Sequence, residues 1–205
     1  MKLAPTERFP LDEEKIKSDN VEERYAYFKS LVKKLNDVYG RIADVVNQNA
    51  NAPSGSGKVV QVVRYQTGAV ATGSTIIPQD DTIPQNTEGD QYMTCTITPT
   101  SASNTLRIDV VAYLVHSVSG FETAALFQDN IVSALAVGTV ANYYTAIPTP
   151  IKFTHFMTAG GTSATTFKVR GGAPVAGTTT FNGASGARLF GGVMASSIAI
   201  TEIAG

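Results

Sequence analysis

The sequence predicts a mainly β protein with an N-terminal α-helix: an antiparallel, jelly-roll-like β-sandwich head on a trimeric coiled-coil stalk. Three observations carry that expectation. Residues 21–46 repeat apolar positions every seven, residues 53–57 read Pro-Ser-Gly-Ser-Gly, and almost everything after Lys58 alternates every two residues. The implied organisation is an N-terminal unit over 1–57 (an anchor arm over 1–11, a stalk over 12–50 and a hinge over 51–57), followed by a head domain over 58–205.

In the stalk, Val21, Phe28, Leu35 and Ile42 fall seven apart and take the a positions, and Leu31, Val38 and Val45 take d, with Arg24 as the exception in the first heptad. Tyr25, Val32, Tyr39 and Val46 add an apolar e column. A strict a/d seam buries one narrow stripe. An a/d/e face is wider and needs more than one neighbour, which favours three strands over two. The competing reading is a single amphipathic helix lying on its own domain. Two starts suit the helix: Asp12 ahead of Glu13 and Glu14, or Asn20 with Glu23 three residues on, spaced as in a capping box. Gly40 falls at an f position, where it weakens the helix by about 1 kcal/mol without touching the seam. The arm before the helix is broken by Pro5 and Pro10, and its apolar residues Leu3, Pro5, Phe9 and Leu11 are read as a particle anchor.

Charge is segregated. Residues 1–57 hold nine of the 16 basic and nine of the 17 acidic side chains, leaving seven and eight for the other 148 residues. The stalk is a mixed-charge helix, and the head is polar mainly through Thr, Ser, Asn and Gln. With a net charge of −1 and no basic stripe, a nucleic-acid partner is not expected. No apolar run approaches 18 residues, so no membrane insertion is expected. The first ten residues are too polar and too broken by proline for a signal peptide. Cys95 is the only cysteine, which excludes an intrachain disulfide framework.

Strand candidates follow in order. Val59–Gln66 is β-branched and apolar; Gln91–Thr98 alternates Met93, Cys95 and Ile97 against Tyr92, Thr94 and Thr96. After a turn at 99–104, Leu106–Val115 alternates Leu106, Ile108 and Val110 against Arg107 and Asp109. Glu122–Gln128 and Ile131–Val137 flank Asp129-Asn130, read as a two-residue hairpin turn. Ile151–Thr158 returns through Gly160-Gly161 to Thr162–Arg170, and Ala187–Met194 and Ser197–Ile203 complete the set. Eight or so strands without a helical window argue for a sandwich or jelly roll. The stretch from Thr67 to Gln91 is irregular. Long loops are often functional, so it is the candidate surface loop, with Asp80, Asp81, Glu88 and Asp90 as its acidic group.

Several segments carry a resemblance: Val59-Val60-Gln61-Val62-Val63-Arg64-Tyr65-Gln66-Thr67-Gly68; the run from Ile83 to Met93; Ala125-Leu126-Phe127-Gln128-Asp129; and Thr165-Thr166-Phe167-Lys168-Val169-Arg170 through Arg188-Leu189-Phe190-Gly191-Gly192. Together they resemble the terminal domains of bacteriophage tail-fibre and related virion appendage proteins, over most of 58–205. The resemblance implies a homotrimeric fibre whose N-terminus attaches to other virion proteins of the tail, baseplate or capsid, and whose head faces outward toward a host cell-surface glycan or protein. Its localisation would be the virion, after assembly in host cytoplasm. A capsid decoration or head fibre, and a structural adaptor for another fibre, are the rival readings. The broader pattern also resembles the trimeric jelly rolls of the complement-C1q and tumour-necrosis-factor type, an analogy of fold that carries no function by itself.

The remaining motifs point to no catalytic site, cofactor or metal. Ser54-Gly55-Ser56-Gly57-Lys58 mimics a P-loop, but Ala52 stands where the motif needs Gly and Val59 where it needs Ser or Thr. The acidic group of 80–90 lacks EF-hand spacing, and solvated loop acids are commoner than calcium sites. His155, on an apolar strand face, reads as a core or inter-subunit histidine, and Cys95 as a small core residue. Tyr143-Tyr144 could stack on a sugar ring, or fill a trimer interface; the second reading is preferred. Eight acids in the head, half of them on one loop, leave no carboxylate pair for glycoside hydrolysis, so an enzyme is not expected.

Overall fold

The computed structural model describes residues 16–17, 19–50 and 57–205, with side chains of 45–50 left aside. The chain forms two compact units, Met1–Ser54 and Gly55–Gly205. Among the described residues the first contains a 30-residue helix, α1 (Val21–Ala50). The Asn20 start is used for this helix: its Oδ1 accepts the Glu22 N–H at 3.0 Å and its carbonyl accepts the Arg24 N–H at 3.2 Å. This satisfies backbone donors that a helix start otherwise leaves open. Glu22 and Glu23 then sit in the first turn, where the helix dipole favours negative charge. The Asp12 start and the anchor residues Leu3, Pro5, Phe9 and Leu11 lie outside the described residues.

The second unit is a sandwich of two antiparallel sheets. One runs β1 (Val59–Thr67), β12 (Ser196–Ile203), β4 (Thr105–His116), β9 (Thr179–Phe181) and β2 (Ala71–Gly73), with β7 (Thr149–Thr158) also paired to β4. The other runs β3 (Asp90–Ile97), β8 (Thr165–Gly172), β5 (Gly120–Gln128) and β6 (Ala136–Asn142). A small ladder joins β10 (Gly183–Ala184) and β11 (Ala187–Arg188). The alternation legible in the sequence supplies the core: Met93, Cys95 and Ile97 of β3, Leu106, Ile108, Val110 and Leu114 of β4, Phe167 and Val169 of β8, and Ile198 and Ile200 of β12 pack in one cluster. Register keeps them on one face, since a one-residue slip would turn every one of them outward.

Three expectations change. Residues 131–135 form no strand, although Asp129-Asn130 does turn the chain after β5. The backbone there is taken by the 83–86 segment instead, through Asn86 N–H to the Val132 carbonyl (2.7 Å), Ala134 N–H to the Pro84 carbonyl (2.9 Å) and a bridge between Gln85 and Ser133. The returning strand starts at Ala136. Second, Ala187–Met194 is a strand only at Ala187–Arg188, because Phe190, Gly191 and Gly192 take positive φ (47°, 63° and 91°) around a single 3₁₀ turn. Third, the irregular stretch after β1 contains the short strand β2 and buries Ile77.

Two buried polar residues, unremarked in the sequence, hold the connections. Glu202 projects into the end of the sandwich, where its Oε1 accepts the Thr100 N–H (2.7 Å) and hydroxyl (2.8 Å) and the Asn104 amide (2.6 Å), while Oε2 accepts the Gln61 amide (2.6 Å). The carboxylate thus joins β12, β1 and the β3–β4 turn. Burial pushes it up, but the bonds from Gln61, Asn104 and Thr100 outweigh that and bring it down to about 2. Asn182 acts at the other end: its amide donates to the Thr67 (2.7 Å) and Ala69 (3.2 Å) carbonyls, and its Oδ1 accepts the Ser196 N–H (3.1 Å) and hydroxyl (2.7 Å).

Because the folded carboxyl of Glu202 is depressed below its usual 4.5, its contribution is fully present above that pH and is lost as pH falls toward about 2. The Glu202→Gln variant therefore unfolds more easily at neutral pH, by about 2–4 kcal/mol for the broken charge-assisted network, and loses that acid-dependent slope. Urea denaturation of both proteins across this pH range measures each effect.

Candidate functional site

Two surfaces stand out. The first is the long face of α1. Val21, Phe28, Leu35 and Ile42 of the a column are each more than half exposed, and so are Tyr25, Val32 and Tyr39 of the e column. Leu31 and Val38 of the d column are half-buried, and Val45 lies in the helix with its side chain outside the description. The described a, d and e residues are the ones the heptad predicts, and most of their apolar surface is uncovered. Few isolated soluble helices leave such a stripe open, because each large apolar side chain forgoes about 1.5–3 kcal/mol by staying in water. Lys29 lies over the Tyr25 ring, 4.7 Å from its centroid, and Tyr27 meets Phe28 edge-on at 6.4 Å.

The second surface is the flap from 74 to 89, which lies against the outer side of the β3-β8-β5-β6 sheet. On β5 the inward residues Ala124 and Leu126 are buried, as alternation requires, but so are their outward neighbours Thr123, Ala125 and Phe127. Ile77, Pro78 and Pro84 face Thr123, Val137 and Thr139 across a shallow cleft of about 240 Å³. Arg170 of β8 pins the end of the flap, donating from Nε to the Glu88 carbonyl (2.8 Å) and from Nη2 to the Gly89 carbonyl (2.6 Å). Gly89 makes this possible with φ of 62°.

The four acidic residues of the flap do not converge. Asp80 accepts the Thr82 hydroxyl (2.5 Å) and N–H (2.8 Å), which together hold its carboxyl below the usual range. Glu88 accepts the Gln85 N–H at 3.0 Å. Asp90 accepts the Thr75 N–H (2.9 Å) and hydroxyl (3.0 Å), packed where a Cβ on Gly73 would collide with it. Asp80 and Glu88 shape local turns, Asp80 by bonding to backbone two residues on, whereas Asp90 ties the start of the flap to β3. Among the described residues no group of three or more His, Cys, Asp or Glu is placed to hold a metal ion.

Other residues the sequence singled out are scattered. Cys95 is buried in the core, and burial pushes its thiol up. His155 is half-buried on β7 opposite Ile108. Tyr143 and Tyr144 are 78% and 66% exposed, so neither ring is used within the chain to fill a core. Among the described residues no helix is long and apolar enough to cross a membrane. The Arg170 clamp was missed in the sequence, where an arginine on an outward strand position carries no signal of the carbonyls it meets.

No family model matches the chain, and no curated protein matches it. Solved structures give distant likenesses. Eiger TNF from S. frugiperda aligns with a TM-score of 0.44 at 13% identity, over 72% of this chain and 94% of that one. Murine APRIL aligns with a TM-score of 0.39 at 10% identity, over 70% and 100%. The enzymatically active domain of tailspike protein 4 of bacteriophage CBA120 aligns with a TM-score of 0.26 at 13% identity, over 60% and 18%. At these scores none of them bears on what this chain does. The class its own coordinates define is an antiparallel β-sandwich together with an N-terminal helix whose apolar face is open.

The Arg170→Ala variant releases the flap. Proteolysis within residues 76–89 then speeds up while the chain stays folded, and stability falls by about 1–3 kcal/mol for the two charge-assisted bonds lost. Timed digestion followed by mass spectrometry of the fragments reads this directly.

Proposed function

We propose that the chain is a non-enzymatic, homotrimeric virion structural protein: a phage tail fibre that attaches to the particle through residues 1–11 and presents its β head to the host surface for adsorption. The observation that carries this reading is the open apolar face of α1, three heptad columns wide. A face that broad is covered when each helix meets two neighbours, and a bundle of three parallel helices gives every copy two. The virion assignment rests on the tail-fibre resemblance of the segments between Val59 and Gly192.

Trimerisation also supplies the physical case for adsorption. Three heads on one stalk turn a weak single contact into a multivalent one, and avidity can exceed single-site affinity by about 10²–10⁴ without any new contact. The reading needs no catalytic group in the head.

Two experiments test it. In the Leu35→Glu/Ile42→Glu double variant, two charges enter the seam of each helix, and the full chain then dissociates to monomers by sedimentation while the head keeps its thermal transition. A variant that stays trimeric while the chain beginning at Lys58 is monomeric contradicts the stalk. Gold labelling of the protein in intact particles places it: label at the tail tip supports the fibre, whereas label spread over the shell favours capsid decoration and overturns the adsorption role.

A further inference from the structure

The corner where the chain passes from β4 in one sheet to β5 in the other holds two buried titratable side chains that nothing described so far uses. His116, the last residue of β4, is 3% exposed, and Glu122, early in β5, is 1% exposed. They are tied together: the His116 backbone N–H donates to Glu122 Oε1 at 3.1 Å. Each also keeps one atom without a hydrogen-bond partner, Nε2 of His116 and Oε2 of Glu122. Buried polar atoms are nearly always paired, and two orphans on one corner call for an explanation.

The surroundings are neutral. His116 Nδ1 meets the Thr179 hydroxyl at 3.0 Å from β9, and the Ala176 backbone acts on the ring from the β8–β9 connection. From β6, Asn142 lies beside Glu122 and donates to the Ile147 carbonyl at 2.9 Å. Among the described residues no charged side chain acts on either group. An ionised Glu122 would therefore be an unpaired buried anion, which is a costly state, whereas the neutral acid is tolerable.

The cover over this corner is thin. The turn after β4 (Ser117, Val118, Ser119) is exposed, as are Val175, Ala176 and Thr178 of the β8–β9 connection. Gly177 lies so close that a Cβ there would stand 2.5 Å from His116 Nε2 and 2.7 Å from Ser117 Oγ. The two exposed segments hold each other by Ser117 N–H to the Thr178 carbonyl and Thr178 N–H to Ser117 Oγ, both 2.9 Å. Beside them opens a cleft of about 340 Å³ lined by His116, Thr145, Thr178, Thr180 and Ser185.

We propose that Glu122 and His116 form a proton-operated latch at this corner of the head: it is closed while Glu122 carries its proton, and it opens the Ser117–Ser119 turn and the 174–178 segment when that proton leaves to solvent. The step breaks only the carboxyl O–H bond, and the proton goes to water or buffer base, leaving a carboxylate that must reach solvent. Burial lifts the Glu122 carboxyl to about 7, against smaller opposing pulls from the His116 N–H and Asn142, so the switch sits near neutrality. The sign follows from linkage. The folded state holds this proton more tightly than the unfolded chain, so the stabilisation is full below the usual 4.5 and is lost as pH rises through about 7. His116 acts in the opposite sense: burial lowers its pKa, so it is neutral where the latch works and penalises the fold only on the acid side.

The latch concerns the head alone and does not depend on the attachment role. Its test is hydrogen exchange on the full-length protein near pH 6 and near pH 8.5, corrected for intrinsic amide rates, with peptides covering 115–123 and 173–180. The expected result is at least about a tenfold rise in exchange at these two segments at the higher pH, with the β3-β8 pairs unchanged, and no rise in the Glu122→Gln variant. Equal exchange at both pH values overturns the proposal, and so does the same rise in the variant. Should the variant not fold, carboxyl-carbon NMR of the unaltered chain decides: a Glu122 midpoint near 7 with His116 ring shifts following it supports the latch, and an ordinary carboxylate midpoint overturns it.

Discussion

The head depends on strand β4. It is 12 residues long, pairs with β12 and then β9 along one edge and with β7 along the other, and turns Leu106, Ile108, Val110 and Leu114 into the cluster that both sheets share. Each of these four side chains contributes about 1.5–3 kcal/mol by leaving water, and none can do so unless both sheets are in place. The two ends of β4 are where the polar interior concentrates. Before its first residue, Asn104 and Thr100 bring the turn onto Glu202; near its last residues, Tyr113 N–H bonds to Ser196 Oγ, which in turn bonds to Asn182. The central strand is therefore held by apolar packing along its length and by buried hydrogen bonds at both limits.

The helix obeys the opposite rule. Its apolar residues are as regularly spaced as those of β4, yet within the chain most of their surface meets no cover. One sequence thus contains a part that completes its own core and a part that does not. That contrast is what the proposed function rests on. It is the ground on which association with further copies is proposed for residues 21–46.

Much of this was legible in the sequence, for physical reasons that can be named. Period-two alternation identified the inward residues of β3 and β4 because each strand has one buried face. Asn20 marked the helix start because its side chain suits the open N–H groups there. What escaped were features that depend on partners far along the chain. Ile131-Val132 looks like a strand by composition, but its backbone is taken by residues 83–86. The run Ala187–Met194 holds Arg188-Leu189-Phe190, yet two glycines and a strained Phe190 turn it out of the sheet. Short strands such as Thr179–Phe181 carry too few residues to show a period. The buried carboxylates of Glu122 and Glu202 were invisible because nothing local distinguishes a buried acid from a solvated one.

The central claim is that the open face of α1 is closed by other copies of the same chain. Its most direct test is the solution mass of the full-length protein by sedimentation equilibrium, beside that of a chain beginning at Lys58. The account predicts three times the 21.6 kDa chain mass for the full-length protein, with a trimeric shorter chain meaning that the heads add their own contacts. A full-length monomer would contradict it, making the helix a prop within its own molecule and removing the physical argument for a fibre.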